Sequence, residues 1–198
     1  ERIAQAATIS GWFKKAGATA VAVVCGKVSG NLEVIDFDYV DHWQDWIDTI
    51  KNQDRGLLEK VCLARSKSGG YHVFYRCPNP AGNQKLAQGM RLDRKDAAAT
   101  EPTRQTMIET RGEGGYVLVA PTEGYKVIFG GLLKLEVLTQ EERDTLIETS
   151  RQFDEFDQAE PEQPATPETV EDPKPAPRSP AGDTVDGITS KPGDDYNA

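Results

Sequence analysis

The chain has 198 residues, enough for one domain with a core of ordinary size, and a formal net charge of −9 at pH 7. Residues 154–198 hold 12 acidic and 3 basic residues, so residues 1–153 are electrically balanced, and the acidic pI does not exclude binding of a polyanion by the folded part. Three scattered cysteines without a CxxC pair exclude a disulfide framework and a zinc site, and they fit a cytoplasmic location. No apolar run is long enough to cross a membrane, and no signal peptide is visible.

Composition divides the chain into two regions. Residues 1–153 are expected to fold as the functional domain, and a segment that precedes Glu1 is expected because the chain does not begin with Met. Residues 154–198 hold 8 of the 12 prolines and few apolar side chains, so they cannot bury enough surface to offset the entropy of ordering. This acidic, Pro-rich segment is predicted to be either a disordered linker to a further domain or a solvating tail.

Periodic apolar spacing predicts three helices, at residues 3–16, 40–52 and 139–153. The second carries a stripe of apolar side chains that includes Trp43 and Trp46. The third begins with Thr139 followed three residues later by Glu142, which is the pattern of a capping box.

Short apolar or alternating runs predict six strands, at residues 20–25, 32–38, 61–65, 71–77, 106–111 and 116–120. The first two are joined by the turn sequence GKVSGN and are expected to form a β-hairpin. Residues 78–102 are rich in Gly, Asn and charge and are predicted to be mostly loop. Strands joined mainly by turns, with helices at intervals, predict an α+β layered domain.

The stretch NLEVIDFD places two carboxylates, Asp36 and Asp38, on the same face of a strand, with Ile35 and Phe37 on the other. Their separation, about 6.6 Å along the strand, allows both to reach one or two divalent cations. The alternative is a polar strand face at a wet sheet edge. Glu33 is an odd number of residues from both and falls on the opposite face, so it is left out of the site.

The stretch SKSGGYHVFYR places His72 directly after a Gly-rich turn, where backbone N–H groups can approach a phosphate closely. His72 and basic residues such as Arg65 could add charge-assisted hydrogen bonds. The alternative for a single histidine is a packing role.

The stretch TMIETRGEGGYVLVAPT places Glu109 and Arg111 on one face of a strand ahead of another Gly-rich turn. The alternative is a surface Glu–Arg pair. Together, the three stretches put three carboxylates, a histidine and cations at strand ends, which is the composition of a metal-dependent phosphoryl-transfer site.

These motifs, in this order, closely resemble those of the primase–polymerase (prim-pol) domains of the archaeo-eukaryotic primase superfamily, found in phages, plasmids and mobile elements. The resemblance covers roughly residues 8–154. It implies a catalytic core with an RRM-like mixed or antiparallel sheet, flanking helices and an additional α/β unit. It also implies a DNA template or primer and NTPs or dNTPs as substrates, and a helicase or ATPase domain after the C-terminal linker.

The resemblance implies that Asp36, Asp38 and Glu109 hold two Mg²⁺ or Mn²⁺ ions. Many relatives carry Asp at the position of Glu109, and the longer side chain can still coordinate. The expected reaction is template-dependent nucleotidyl transfer in DNA replication, by a primase, a polymerase or both.

In the same resemblance, the Gly-Gly-x-His motif falls on Gly69, Gly70 and His72, and His72 contacts the incoming triphosphate. Some relatives carry Ser where this chain has Gly70, so a hydroxyl contact would come from Ser68 or be replaced by backbone N–H groups. The further candidates for phosphate contacts are Arg65, Arg111 and Lys27; the last is equally well interpreted as a solvated turn lysine.

Template contacts are predicted in the locally basic segment 85–104, whose alternative is an ordinary exposed loop. Its cations are Lys85, Arg91, Arg94, Lys95 and Arg104.

Two other functions remain open from the sequence. The same carboxylates could serve a metal-dependent nuclease or glycosyltransferase, although the Gly-Gly-x-His turn disfavours a nuclease, which needs no triphosphate pocket. The second is a non-catalytic module that binds nucleotide or DNA and serves as a scaffold for an attached helicase.

Overall fold

The computed structural model describes residues 5, 7, 8, 10, 11, 14, 17 and 19–156. Most of the first predicted helix, at residues 3–16, and nearly all of the predicted C-terminal linker lie outside the described residues.

The described residues form two antiparallel sheets and two helices, which confirms the α+β class. The strands are β1 (Val21–Val24), β2 (Leu32–Phe37), β3 (Cys62–Arg65), β4 (Tyr71–Arg76), β5 (Lys85–Arg91), β6 (Thr103–Arg111), β7 (Tyr116–Val119) and β8 (Lys126–Phe129). The helices are α1 (Trp43–Gln53) and α2 (Gln140–Arg151). The predicted capping box at the start of α2 is present, with Thr139 and Glu142 each accepting from the other's backbone N–H. Neither helix is long and apolar enough to cross a membrane.

The larger sheet has six strands in the order β5-β6-β2-β4-β3-β8. Strand β2 lies in its interior and pairs antiparallel with β4 on one side and β6 on the other. The motif strands predicted from the three stretches are therefore direct neighbours.

The predicted hairpin between the first two strands is wrong. Strand β1 pairs antiparallel with β7 in a separate two-stranded sheet, and only one bridge, Gly26 to Leu32, joins the two sides of the GKVSGN turn. Gly26 and Gly30 both adopt positive φ around a short 3₁₀ segment, Lys27–Ser29, which turns the chain away from the larger sheet. The local sequence of an apolar run such as residues 21–24 does not show which strand it pairs with.

The prediction that residues 78–102 are mostly loop is partly wrong, because this segment contains strand β5. Leu86 and Ala87 are adjacent in sequence yet both buried, and the register with β6 shifts at these residues. This irregularity interrupts the alternation by which a strand is recognised. Strand β8 was also not predicted.

The larger sheet has one face covered by helices. Ile35 and Phe37 of β2 and Tyr75 of β4 pack with Trp46 of α1 and Leu146 of α2 in the main core. On the other face, a smaller core forms under β1 and β7, and it includes Val34 and Phe74 of the larger sheet with Val117 and Val119 of β7. The cysteines are free and buried, as the absence of a paired pattern predicted.

Candidate functional site

Three polar side chains lie in one row across the centre of the larger sheet. Asp36 of β2 is the register partner of His72 on β4 and of Glu109 on β6. Directly opposite residues share a face, so all three side chains lie on the face away from the helices. His72 Nε2 lies 3.3 Å from Asp36 Oδ1. The predicted alternation of faces on the motif strands is therefore confirmed.

Asp38 follows the last residue of β2 and extends the row beyond the sheet. Its backbone N–H donates to the Met107 carbonyl at 3.0 Å, which fixes the chain where the strand ends. Asp38 and Glu109 line one cavity of about 520 Å³, together with Arg94, Lys95 and Arg111. With Asp93, which also lines it, three acidic and three basic side chains face the same space.

Arg111 lies two residues after Glu109 on the same strand face. Its Nη2 pairs with Glu109 Oε1, and its Nε lies 3.8 Å from Asp36 Oδ2. The guanidinium therefore counters the charge of both carboxylates. The Glu–Arg pair that the sequence left open as the alternative to a site is present on β6, and it also involves Asp36.

The Gly-rich turn between β3 and β4 is packed tightly against the end of β2. A Cβ at Gly70 would lie 2.0 Å from the Phe37 carbonyl oxygen, so only glycine fits there. Gly69 has φ of 92°, which also favours glycine. Arg94 joins the two segments, because its guanidinium donates to the carbonyls of Asp38 and Ser68. The turn and the acidic strand end therefore form one surface.

Burial, with the neighbouring carboxylates adding to it, raises the pKa values of Asp38 and Glu109. Burial, followed by the charge of Asp36, raises the pKa of Asp38, and the nearby cations only partly oppose this shift. Burial also raises the pKa of Glu109, with Arg111 opposing and Asp36 and Asp38 adding to the shift. Burial and the same two aspartates raise the pKa of Tyr125, whose ring centre lies 5.9 Å from that of His72. The site carries more negative charge than its own cations neutralise well.

The buried His72 ring also has unused hydrogen-bonding capacity. Its Nδ1 is buried and has no hydrogen-bond partner, while its Nε2 faces Asp36. An unpaired buried nitrogen beside a charged cavity is a place where a ligand atom can bind.

A family model described as bifunctional DNA primase/polymerase, N-terminal (Prim-Pol), matches residues 1–131. The chain belongs to this Prim-Pol family. A comparison with curated protein sequences gives no match. The matched region contains the whole row, the Gly-rich turn and the cavity-lining residues.

Prim-Pol enzymes generally use divalent metals, and the donor set of this site fits that chemistry. Carboxylate oxygens are the ligands of hard cations, and a cation favours the ionised form of carboxylates whose pKa values are raised by burial and by neighbouring acids. Within residues 19–156, no group of three or more His, Cys, Asp or Glu side chains is already spaced to hold a metal ion. In this conformation the Arg111 guanidinium lies against two of the carboxylates, Asp36 and Glu109, whose oxygens a cation would need.

Two of the predicted nucleotide-binding residues lie away from the row. Arg65 is the register partner of Tyr71, and its guanidinium lies 5.9 Å from the centre of that ring, on the helix-covered side. Lys27 lies before the start of β2, where its backbone N–H donates to Glu113 at 2.8 Å, whereas Asp36 and Asp38 lie near the other end of that strand.

Several residues at this site were not predicted as site residues. Tyr39, Gln105 and Thr106 line the cavity, and Tyr39 lies under the Arg94 guanidinium at 5.2 Å. Arg94 and Lys95 were noted only as part of a basic segment. The position of Tyr39 directly after the acidic pair was the one local signal, whereas Tyr125 comes from a distant turn and carried none.

Proposed function

We propose that this Prim-Pol chain catalyses template-dependent nucleotidyl transfer, as a DNA primase, a DNA polymerase or both. Asp36, Asp38 and Glu109 hold divalent cations, Mg²⁺ or Mn²⁺, and DNA and nucleoside triphosphates are the substrates. The observation that carries the proposal is the register of Asp36 between Glu109 and His72, beside a cavity that also carries cations.

The reaction joins a 3′-hydroxyl oxygen to the α-phosphorus of a triphosphate, and the bond between the α-phosphorus and the bridging oxygen breaks to release pyrophosphate. The bound cations would lower the pKa of the hydroxyl and offset the charge of the phosphates. The carboxylates of the row position those cations on the open face of the sheet, at the ends of rigid strands.

His72 is assigned to the triphosphate. Its Nε2 faces Asp36, and its Nδ1 would donate to a phosphate oxygen, which would satisfy the buried nitrogen that now has no hydrogen-bond partner. The tight turn at Gly69 and Gly70 lies against Phe37 at the end of β2, and Ser68 of the same turn lines the cavity. Arg111 and Lys95 supply further positive charge from the cavity wall.

The finer architecture is part of this proposal. An antiparallel sheet with both described helices on one face and the acidic row on the other supports an RRM-like core. The additional α/β unit and a helicase domain stay predictions from the family resemblance, and the linker at residues 154–198 stays a prediction from composition.

Primer extension tests the proposal. The protein is incubated with labelled primed or unprimed template, NTPs or dNTPs, and Mg²⁺ or Mn²⁺. The wild type is expected to extend the primer, and Asp36→Asn/Asp38→Asn is expected to make no product. Asp45→Asn is the matched control, because this carboxylate lies on α1, which covers the opposite face of the sheet.

Each substrate separates one alternative. Product on the unprimed template indicates a primase, and product only on the primed template leaves a polymerase. Shortening of labelled DNA without triphosphates would favour a nuclease instead. Binding of DNA or nucleotide without product from any combination would favour the non-catalytic module and overturn the proposal.

A further inference from the structure

Arg111 holds together two carboxylates that would otherwise repel. Asp36 and Glu109 are register partners on β2 and β6, and like charges directly opposite each other destabilise a sheet. The Arg111 guanidinium pairs with Glu109 Oε1 and lies 3.8 Å from Asp36 Oδ2. It neutralises the pair from one side, on the same strand face.

A divalent cation between these carboxylates would take the place of that guanidinium. Both need the same carboxylate oxygens, and two positive charges at such short distance repel strongly in a partly buried site. The side chains of Asp36 and Glu109 are only 14% and 16% exposed, so the repulsion is weakly screened by water. Cation and guanidinium therefore exclude each other.

Arg111 is free to leave without disturbing the core. Its side chain is 32% exposed and lines the cavity, where Lys95 also lies. Phosphate oxygens in that cavity would offer the guanidinium a bidentate partner in place of the carboxylates. One side chain thus has two alternative sets of partners.

We propose that Arg111 is an internal competitor of the divalent cation, a positioning residue that pairs with Asp36 and Glu109 until a metal ion displaces it towards the phosphate site. This inference rests on the metal-dependent function proposed above. The metal ion displaces the Arg111 guanidinium from the carboxylates, and the triphosphate binds the displaced guanidinium. Binding of either ligand should therefore strengthen binding of the other, because such coupling is reciprocal.

Binding of Mn²⁺ alone, measured by electron paramagnetic resonance without nucleotide, tests the competition. Arg111→Met is expected to bind Mn²⁺ about fivefold tighter or more than the wild type, the lower end of typical coupling between sites. Lys95 lines the same cavity but forms no ion pair with the carboxylates. Lys95→Met therefore measures the general effect of removing a nearby positive charge, and it should increase the Mn²⁺ affinity by less. Arg104→Met, on the same strand but paired with Gln88, should leave the affinity unchanged.

Thermal unfolding with and without Mn²⁺ gives a second readout. Without metal, Arg111→Met leaves two facing carboxylates without their counter-charge, so Mn²⁺ should raise its Tm by more than it raises that of the wild type. Arg111→Lys keeps the charge but loses the planar guanidinium, so Mn²⁺ should raise its Tm by an amount between those of the wild type and Arg111→Met. This variant replaces Arg111→Met in the test if the latter does not fold.

The outcomes distinguish the two proposals. An unchanged or weaker Mn²⁺ affinity in Arg111→Met, or a gain no larger than that of Lys95→Met, overturns the competition while the metal site stands, provided that Asp36→Asn abolishes the binding. If neither the wild type nor Arg111→Met binds Mn²⁺, or if Asp36→Asn binds it as well as the wild type, the metal site itself fails and the competition fails with it.

Discussion

Two carboxylate–arginine pairs lie on opposite faces of the larger sheet, and they differ in how completely each carboxylate is satisfied. On the helix-covered face, Glu33 is fully buried and accepts from Arg143 Nε at 2.6 Å and Nη2 at 3.0 Å, from the Tyr75 hydroxyl at 2.8 Å and from the Ala81 N–H at 3.1 Å. On the opposite face, Glu109 has one close partner, Arg111, and lies directly opposite Asp36. We call the Glu33–Arg143 pair the closed pair, because its carboxylate has several donors, and the Glu109–Arg111 pair the open pair, because its carboxylate can still bind a ligand.

Their chemical consequences follow from this difference. A buried carboxylate with four donors has no capacity left for a metal or a substrate, so the Glu33 pair serves the fold. The Glu109 pair is under-satisfied, and the raised pKa values of Glu109 and Asp38 show that charge is held there at a cost in stability. A glutamate–arginine pair on a strand therefore indicates a site only when its surroundings leave it incomplete.

The largest expected effect is loss of the closed pair. Arg143→Met leaves Glu33 charged and buried without its main partner, and breaking a buried pair on one side typically costs about 3–5 kcal/mol. We expect the free energy of unfolding in urea to fall by that amount. Arg151→Met, on the same helix but in an exposed pair with Glu148, is the control and should cost less than about 1 kcal/mol. Equal effects of the two substitutions would mean that the Glu33 pair contributes no more than a surface pair.

The two histidines give the next contrast. His72→Asn should raise the KM for the triphosphate roughly tenfold to a hundredfold, the range of a lost hydrogen bond to a charged group. His42→Asn is the control, because His42 also has a buried nitrogen without a hydrogen bond but stacks on Phe153, away from the row. Steady-state primer extension separates KM from kcat. A His72 variant with an unchanged KM would remove the assigned contact to phosphate.

The pH dependence of stability should show the cost of the negative charge at Asp38, at the end of the acidic row. A carboxyl whose pKa is raised on folding destabilises the charged fold above both pKa values, and the penalty is relieved as pH falls through the raised folded-state pKa. Asp38→Asn should therefore unfold at a higher Tm than the wild type at pH 7 in EDTA, and the difference should shrink as the solution is acidified. With Mn²⁺ present the advantage should disappear. An Asp38→Asn variant that is less stable than the wild type by the same amount at every pH would contradict this account, and Asp45→Asn is the control.

The smallest effect concerns Cys77, whose Sγ lies 3.6 Å from Glu33 Oε2. Burial, followed by the charge of Glu33, raises the pKa of this thiol to about 12, so almost no thiolate forms at pH 8. Iodoacetamide at pH 8 should leave Cys77 unmodified in the native protein and alkylate it readily in urea, as read by peptide mass spectrometry. Modification at the same rate in both states would show that the surroundings of Cys77 and Glu33 are accessible to solvent in the native protein.

Local alternation was sufficient to predict which side chains of the motif strands share a face. Within single strands, alternation put Glu109 with Arg111 and His72 with Phe74 on shared faces, and the odd spacing of Glu33 correctly placed it on the face opposite to Asp36. Parity is a property of a single strand and needs no knowledge of pairing.

What depended on distant contacts was not predictable. The partner of β1 is a strand almost a hundred residues away, and β5 is irregular because its register with β6 shifts at Leu86 and Ala87. The approach of Tyr125 to His72, the bridge from Arg94 to Asp38 and the network around Glu33 likewise join segments that lie far apart in the chain. No local pattern encodes which segments meet in three dimensions.

The most direct test of the central claim compares Glu109→Gln with Glu33→Gln in single-turnover primer extension and in thermal unfolding. The account predicts that Glu109→Gln stays folded and extends primers roughly a hundredfold more slowly or worse, since loss of even an outer partner of a metal ligand costs about 10–100-fold. Glu33→Gln should lower the Tm and keep near wild-type extension at temperatures where it is folded. A folded Glu109→Gln protein that extends primers at the wild-type rate would contradict the account.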